Sequence, residues 1–173
     1  MMTKALLTGN LISLAAAFFT ARSCWARDNL HIYMDQVYQC LLLALASVFF
    51  NSYAGIISLL ACALRNYLAA RDRLDKKAVT LCLLLILIPG LIVNNRGYIG
   101  WIVILANVIY SLGMYICRSE LSIKLNMVLD LSMWMVYEAL ILDIPSFFSD
   151  LAALVVALAA ITRILRERKQ GRS

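Results

Sequence analysis

Residues 78–95 and 97–117 carry no charged side chain. As helices rising 1.5 Å per residue, both runs are long enough to cross a hydrocarbon layer ~30 Å thick. A chain that places two such runs back to back is built for a membrane. The gaps between its apolar runs sharpen this. Arg71, Arg73, Lys76 and Lys77 close one run, Arg118 and Lys124 follow another, and Arg166, Arg168, Lys169 and Arg172 follow the last. The intervening gaps around Asn51, Asn94 and Asp143 hold one basic residue, Arg96. Basic loops resist transfer out of the cytoplasm, so basic gaps in alternation mark a polytopic membrane protein. Hydrophobic residues make up 63% of the 173, against ~45–50% in a soluble domain, and the excess lies in these runs.

Seven spans are predicted: 5–21, two within 36–70, then 78–94, 98–117, 124–141 and 146–163. The stretch 36–70 has Arg65 as its only charge. It is too long for one helix and sufficient for two of ~17 residues, with Asn51 and Gly55 supplying the break. Pro89-Gly90 predicts a kink in the fourth span. Pro145 suits the first turn of the seventh, where a missing amide donor costs little. The expected fold is therefore all-α, in a single membrane domain. Taking the C-terminus as cytoplasmic puts Arg22, Arg27 and the three basic clusters inside and only Lys4 and Arg96 outside, so the N-terminus is expected outside. Lys4 with the following apolar run resembles a signal peptide. Arg22 directly after Ala21 argues instead for a retained first span.

The layout repeats. Spans two and three form a hairpin without a basic turn, followed by a basic tail, and spans six and seven do the same. The chain then divides as 1–77, a linking span at 78–96, and 97–173: two triple-helix bundles joined by one helix, a 3+1+3 arrangement. An odd linker makes the two halves run in the same direction, a known transporter layout.

Net charge is +6, but the excess sits where topology requires it, and no nucleic-acid partner is expected. The five cysteines, Cys24, Cys40, Cys62, Cys82 and Cys117, form no C-x-x-C pair and are odd in number. They read as small apolar residues, not as a disulfide framework or zinc site. No cofactor is expected.

Polar groups inside spans are costly and need a reason. Asp130, Trp134, Tyr137 and Glu138 fall at i, i+4, i+7 and i+8, on one helical face. Such a stripe suits a hydrated cavity, where aromatic rings stack on a solute and carboxylates accept hydrogen bonds. The plainer alternative places Asp130 and Glu138 near the two membrane surfaces. Asn107, Tyr110, Ser111 and Met114 share a face in the fifth span, Ser47 and Asn51 in the second, and Ser58, Cys62 and Arg65 in the third. Interhelical hydrogen bonding explains the Ser and Asn residues equally well. Arg65 could snorkel toward Arg71 or pair with Asp150 or Glu138.

Signals for catalysis are poor. His31, the only histidine, is expected in a short inside loop, seven residues after Cys24, and nothing else supports a Cys/His nucleophile. No zinc-protease, phosphate-loop or serine-elbow motif is present. No enzymatic activity is expected.

The segment Ala54-Gly55…Ala63-Leu64-Arg65…Arg71, and the segment from Arg118 through Lys124 to Trp134, Tyr137 and Glu138, followed by Ile161-Thr162-Arg163, resemble the YgjV-type bacterial inner membrane protein family. The resemblance runs over most of the chain. That family is distantly similar to the sugar-facilitator (SWEET), PQ-loop and nicotinamide-riboside-carrier proteins built from triple-helix bundles. The chain departs from it at Tyr137-Glu138, where members often have His-Asn, and at Cys62, where they have Asn. It also lacks the wider group's Pro-Gln hinge. The resemblance implies a multi-pass bacterial cytoplasmic-membrane protein.

Together these features predict a carrier or facilitator for a small polar metabolite of the sugar, nucleoside or vitamin kind, working by alternating access between two bundles. Trp134, Tyr137, Asn107 and Asn51 are the expected lining, with Glu138, Asp130 and Arg65 as charge partners. Membrane lipid and the solute are the expected partners, and assembly from several copies is open. The competing reading is a non-transporting accessory or scaffold protein.

Overall fold

The computed structural model describes residues 4–25, 29–117 and 119–169. Seven α-helices account for nearly all of them: α1 (Lys4–Trp25), α2 (Asn29–Phe49), α3 (Tyr53–Ala70), α4 (Lys76–Val93), α5 (Tyr98–Ile116), α6 (Glu120–Ile141) and α7 (Ile144–Lys169). Six of them are long and apolar enough to cross a membrane. The exception, α6, has the length but carries Glu120, Lys124, Asp130 and Glu138.

Local chemistry sets the boundaries. Asn51 sits at φ 52° in the turn between α2 and α3, a left-handed conformation that Asn tolerates through its short polar side chain. Ser52 then caps α3 by accepting from the Gly55 amide at 3.4 Å. Asp75 caps α4 from the Ala78 amide at 2.8 Å, and Ser119 caps α6 from the Ser122 amide at 3.2 Å. Asp75, which in sequence looks like charge balance for its basic neighbours, is thus a helix cap. Pro89 lies inside α4 and Pro145 in the first turn of α7, as their sequence positions suggest.

Three helices run four to six residues past their expected ends, α1 to Trp25, α6 from Glu120 and α7 to Lys169, and the largest difference is at the start of α2. The second span was expected from residue 36, yet α2 begins at Asn29 and takes in His31, which therefore lies on a helix and not in a loop. The reason is Asp35. Charge marks a span's end only if it stays in water, and Asp35 is 3% exposed. Arg22 at the end of α1 grips it with two donors, Nε at 2.8 Å from Oδ2 and Nη2 on Oδ1. Arg22 is therefore part of a helix–helix joint as well as a basic residue at a helix end. The Cys24 side chain, Arg27, Arg118 and Arg172 lie outside the described residues.

Helix adjacency defines the architecture. α1 packs on α2 and α7, α2 on α3, α3 on α4 and α5, α4 on α5, α5 on α6, and α6 on α7. Six helices, α1, α2, α3, α5, α6 and α7, thus close into a ring, and α4 lies outside it against α3 and α5. Small residues permit the close approach: Ala44, Ala46, Ala54, Ala61 and Ala106 all belong to the main packed cluster. The outer surface is apolar. Leu7, Leu11, Leu14 and Phe18 are each more than half exposed on α1, as are Val155 and Val156 on α7. The buried set instead includes Asn10, Ser13, Ser58, Arg65, Asn107 and Glu138. A water-soluble bundle would reverse that distribution.

The Arg22–Asp35 joint is asymmetric, with side chains 51% and 4% exposed respectively. Arg22→Ala strands a buried carboxylate, whereas Asp35→Asn leaves a guanidinium half in solvent. Thermal unfolding in detergent should therefore show a larger drop in midpoint for Arg22→Ala. Equal drops would refute the asymmetry.

Candidate functional site

A cavity of about 160 Å³ lies within the ring. All six ring helices contribute to its wall and α4 does not. At the ~10–15 Å³ that one water needs, it has room for on the order of ten waters or a small solute.

Helix α6 supplies the most distinctive wall. Met127, Asp130, Leu131, Trp134 and Glu138 line the cavity, at spacings that keep them on one helical face. Across from them come Arg65 from α3, Tyr110 from α5, and Asp150 from α7. Toward the end where α1 finishes and α2 starts, the wall turns polar and uncharged with Thr20, Ser23, Gln36 and Gln39. Glu138 and Asp150 lie toward the opposite end, near the α6–α7 turn.

Arg65 is 4% exposed, so it does not snorkel to an interface. Its Nη1 donates to the Ser111 hydroxyl at 3.0 Å, its Nε reaches Asn66 Oδ1 at 3.4 Å, and its guanidinium sits 4.7 Å from the Tyr110 ring centroid. Neither Asp150 nor Glu138 forms an ion pair with it among the described residues. The carboxylates are less well served. Glu138 is 4% exposed, and its Oε2 has no hydrogen-bond partner; Asp130 Oδ1 has none either. Orphaned buried oxygens are expensive and rare enough to need a reason.

The other expected site residues lie elsewhere. Tyr137 turns away from the cavity, and its hydroxyl meets Ser52 Oγ at 2.6 Å. Asn107 accepts the Cys62 thiol and donates to the Val103 carbonyl at 3.2 Å, serving as an α3–α5 tie. Asn51 is exposed in its turn, where its carbonyl accepts from Asn95 at 2.8 Å and from Arg96 at 3.2 Å. Trp134, Glu138, Asp130 and Arg65 are therefore brought together, and Tyr137, Asn107 and Asn51 are not among the lining.

Sequence reading passed over Gln36, Gln39, Cys40 and Leu43. Their i, i+3, i+4, i+7 spacing is a helical stripe that opens the expected second span, where two glutamines read as a span's polar end. It also passed over a polar clamp at the α6–α7 turn. Ser13 donates to Asp143 Oδ2 at 2.7 Å, and Ser146 Oγ to the same oxygen at 2.9 Å. Asn10 donates to the Leu142 carbonyl at 3.1 Å and accepts from the Ile144 amide at 3.0 Å. Burial pushes the Asp143 carboxyl above the usual carboxylate range, against the hydrogen bonds from Ser13 and Ser146 that lower it. With Ser52–Tyr137, these contacts tie α1 and α3 to α6 and α7 at the deep end of the cavity.

The Ser52–Tyr137 contact is tight. A methyl group on Gly55 would collide with the Tyr137 hydroxyl. Gly55→Ala should cost ~1–3 kcal/mol through overpacking, and Tyr137→Phe ~1 kcal/mol through the lost hydrogen bond. Because Tyr137→Phe also removes the colliding oxygen, the double variant should unfold at a higher temperature than additivity requires. Strict additivity would show that the two residues do not meet.

A family profile described as bacterial inner membrane protein, Imp-YgjV, matches residues 7–168. No curated protein and no solved structure matches the chain. The apolar exterior, the membrane-length helices and a match over nearly the whole chain agree: this chain belongs to the Imp-YgjV family of multi-pass bacterial inner membrane proteins.

Proposed function

We propose that the protein is a carrier or facilitator for a small polar metabolite, such as a sugar-, nucleoside- or vitamin-like solute. The observation that carries this reading is the central cavity. A protein whose only task is to pack has no use for an acidic and aromatic wall around empty volume, since orphaned carboxylate oxygens cost stability.

In this reading the chain works as 3+1+3. Residues 1–77 and 97–173 form two three-helix units, residues 78–96 join them, and rocking of one unit against the other alternates access. The placement of α4 outside the ring supports the division. So do the contacts that cross it, at Ser52–Tyr137, Ser13–Asp143 and Cys62–Asn107. Helix α6 crosses the membrane as well, which brings the number of spans to seven. Its 22 residues rise ~33 Å, and Asp130 and Glu138 turn to the cavity instead of lipid. The N-terminus lies outside and the C-terminus in the cytoplasm, as the basic clusters require. The deep-end clamp then faces outward and the polar mouth inward. Lipid and the solute are the partners, with no nucleic acid and no catalytic step. A scaffold or accessory role is the competing reading, and a densely packed centre would have favoured it.

Reconstituted into liposomes, the protein should take up at least one member of a panel of sugars, nucleosides and vitamins, and Trp134→Ala should remove most of that uptake. Absence of uptake for the entire panel, with the protein demonstrably folded, would count heavily against transport. Orientation has its own test. A green fluorescent protein fused at the C-terminus should fluoresce, and alkaline phosphatase fused there should be inactive. The reverse pattern would overturn the assigned topology.

A further inference from the structure

Charge is unevenly shared along the cavity. Its wall holds three carboxylates, Asp130, Glu138 and Asp150, and one basic side chain, Arg65. Arg65 lies on the side of Asp130, whose field acts on it directly. Glu138 has no such cation. The charged groups that act on it, Asp150, Asp143 and Asp130, are all acidic. The deep end thus concentrates two buried acidic groups with no positive partner on the wall. One of their oxygens, Glu138 Oε2, is buried and has no protein donor among the described residues.

A carboxylate held this way needs compensation from something that is not part of the wall. Geometry narrows what that can be. Asp130 and Glu138 are eight residues apart on α6, ~12 Å along its axis at 1.5 Å per residue. They cannot both reach one metal ion at the ~2.0–2.6 Å that oxygen ligands require. No group of three His, Cys, Asp or Glu among the described residues is placed to hold a metal ion. An unpartnered oxygen also asks for a hydrogen-bond donor, and an ammonium offers three. Between the acidic end and the polar mouth, Leu43, Leu59, Leu131 and Trp134 supply an apolar wall, and an indole face attracts a cation or the methylenes next to it.

We propose that the cavity recognises a primary amine in its protonated form, with the ammonium donating to Glu138 and Asp150 and the carbon stem lying along Trp134 and Leu131. This deepens the carrier reading and rests on it for what happens to the solute, though not for the binding itself. Arg65 would repel a second positive group near Asp130, so the site takes a monocation whose far end is neutral or anionic.

Binding can be read from Trp134 in detergent-purified protein with Trp25 and Trp101 replaced by Phe. Titration with n-butylammonium should quench or shift the emission saturably. Tetramethylammonium has the charge without the donors and should bind about tenfold more weakly, while 1-butanol and butyrate should not bind. Glu138→Gln should weaken n-butylammonium about tenfold or more and leave the unfolding midpoint no lower than that of the parent. Asp150→Asn carries the same test if Glu138→Gln fails to fold. Equal affinity for 1-butanol and n-butylammonium, no saturable binding of any cation, or binding unweakened in both variants would each overturn the proposal. Liposome flux separates the two readings. Ammonium binding without flux upholds this site and sinks the carrier, whereas flux of a neutral solute without ammonium binding sinks this site alone.

Discussion

The hydrocarbon on the outside of this bundle decides where everything else goes. Leu7, Leu11, Leu14 and Phe18 cover one face of α1, Leu41, Leu45 and Val48 cover α2, and Leu125, Leu129, Val136 and Leu140 cover α6. A polar side chain on such a helix has two refuges, the helix ends or the interior. Several short ones that go inward tie helices together: Ser111 takes Arg65, Asn107 takes Cys62, and Ser52 takes Tyr137, while Ser58 Oγ has no partner among the described residues. Those ties hold the ring closed without filling its middle. The cavity is what remains when six helices with small and polar inner faces pack edge to edge.

The two ends of the ring are not built alike. At the turns near Asn51, Asn94 and Asp143, hydrogen bonds join segments far apart in sequence. Asn10 and Ser13 hold the α6–α7 turn, and Arg96 and Asn95 hold the α2–α3 turn. At the opposite end the strong contact, Arg22 with Asp35, joins sequence neighbours. Contacts between neighbours survive relative motion of larger units, whereas contacts between distant segments must break.

Much of the fold was legible because the dominant signal is simple. Charge-free runs and basic clusters locate helices to within a few residues for α3, α4 and α5, while α7 carries on six residues past its expected end through the basic tail. The signal failed at Asp35, because sequence alone does not say whether a charge is solvated or paired, and its partner Arg22 is 13 positions away on another helix. The site was legible in part for a related reason. Helical spacing put Asp130, Trp134 and Glu138 on one face correctly. Tyr137, one position from Glu138, is rotated by about 100° from it around a 3.6-residue turn, enough to send its hydroxyl to Ser52. Periodicity gives the face of a helix but not which neighbour fills it. Asn107 and Asn51 share helical faces with other polar residues, and a shared face does not separate a lining amide from one used to tie helices.

Helix α6 shows why the least hydrophobic helix can be the most informative. By length it matches its neighbours, and by charge it is the one helix that falls short of a simple apolar span. Its carboxylates are not spread around its circumference. Asp130 and Glu138 share the cavity face with Trp134, while Leu125, Leu129, Val136 and Leu140 are exposed on the outside. For α6 to cross the membrane as proposed, its acids have to be confined to the inner face, since turning them to lipid would cost several kcal/mol. Confinement alone does not require that their oxygens lack donors. Ser13 and Ser146 satisfy Asp143, whereas Ser58 Oγ, like Glu138 Oε2, has no partner among the described residues. The wall leaves Glu138 Oε2 without a protein donor among the described residues, and it is this oxygen that the proposed ammonium would serve.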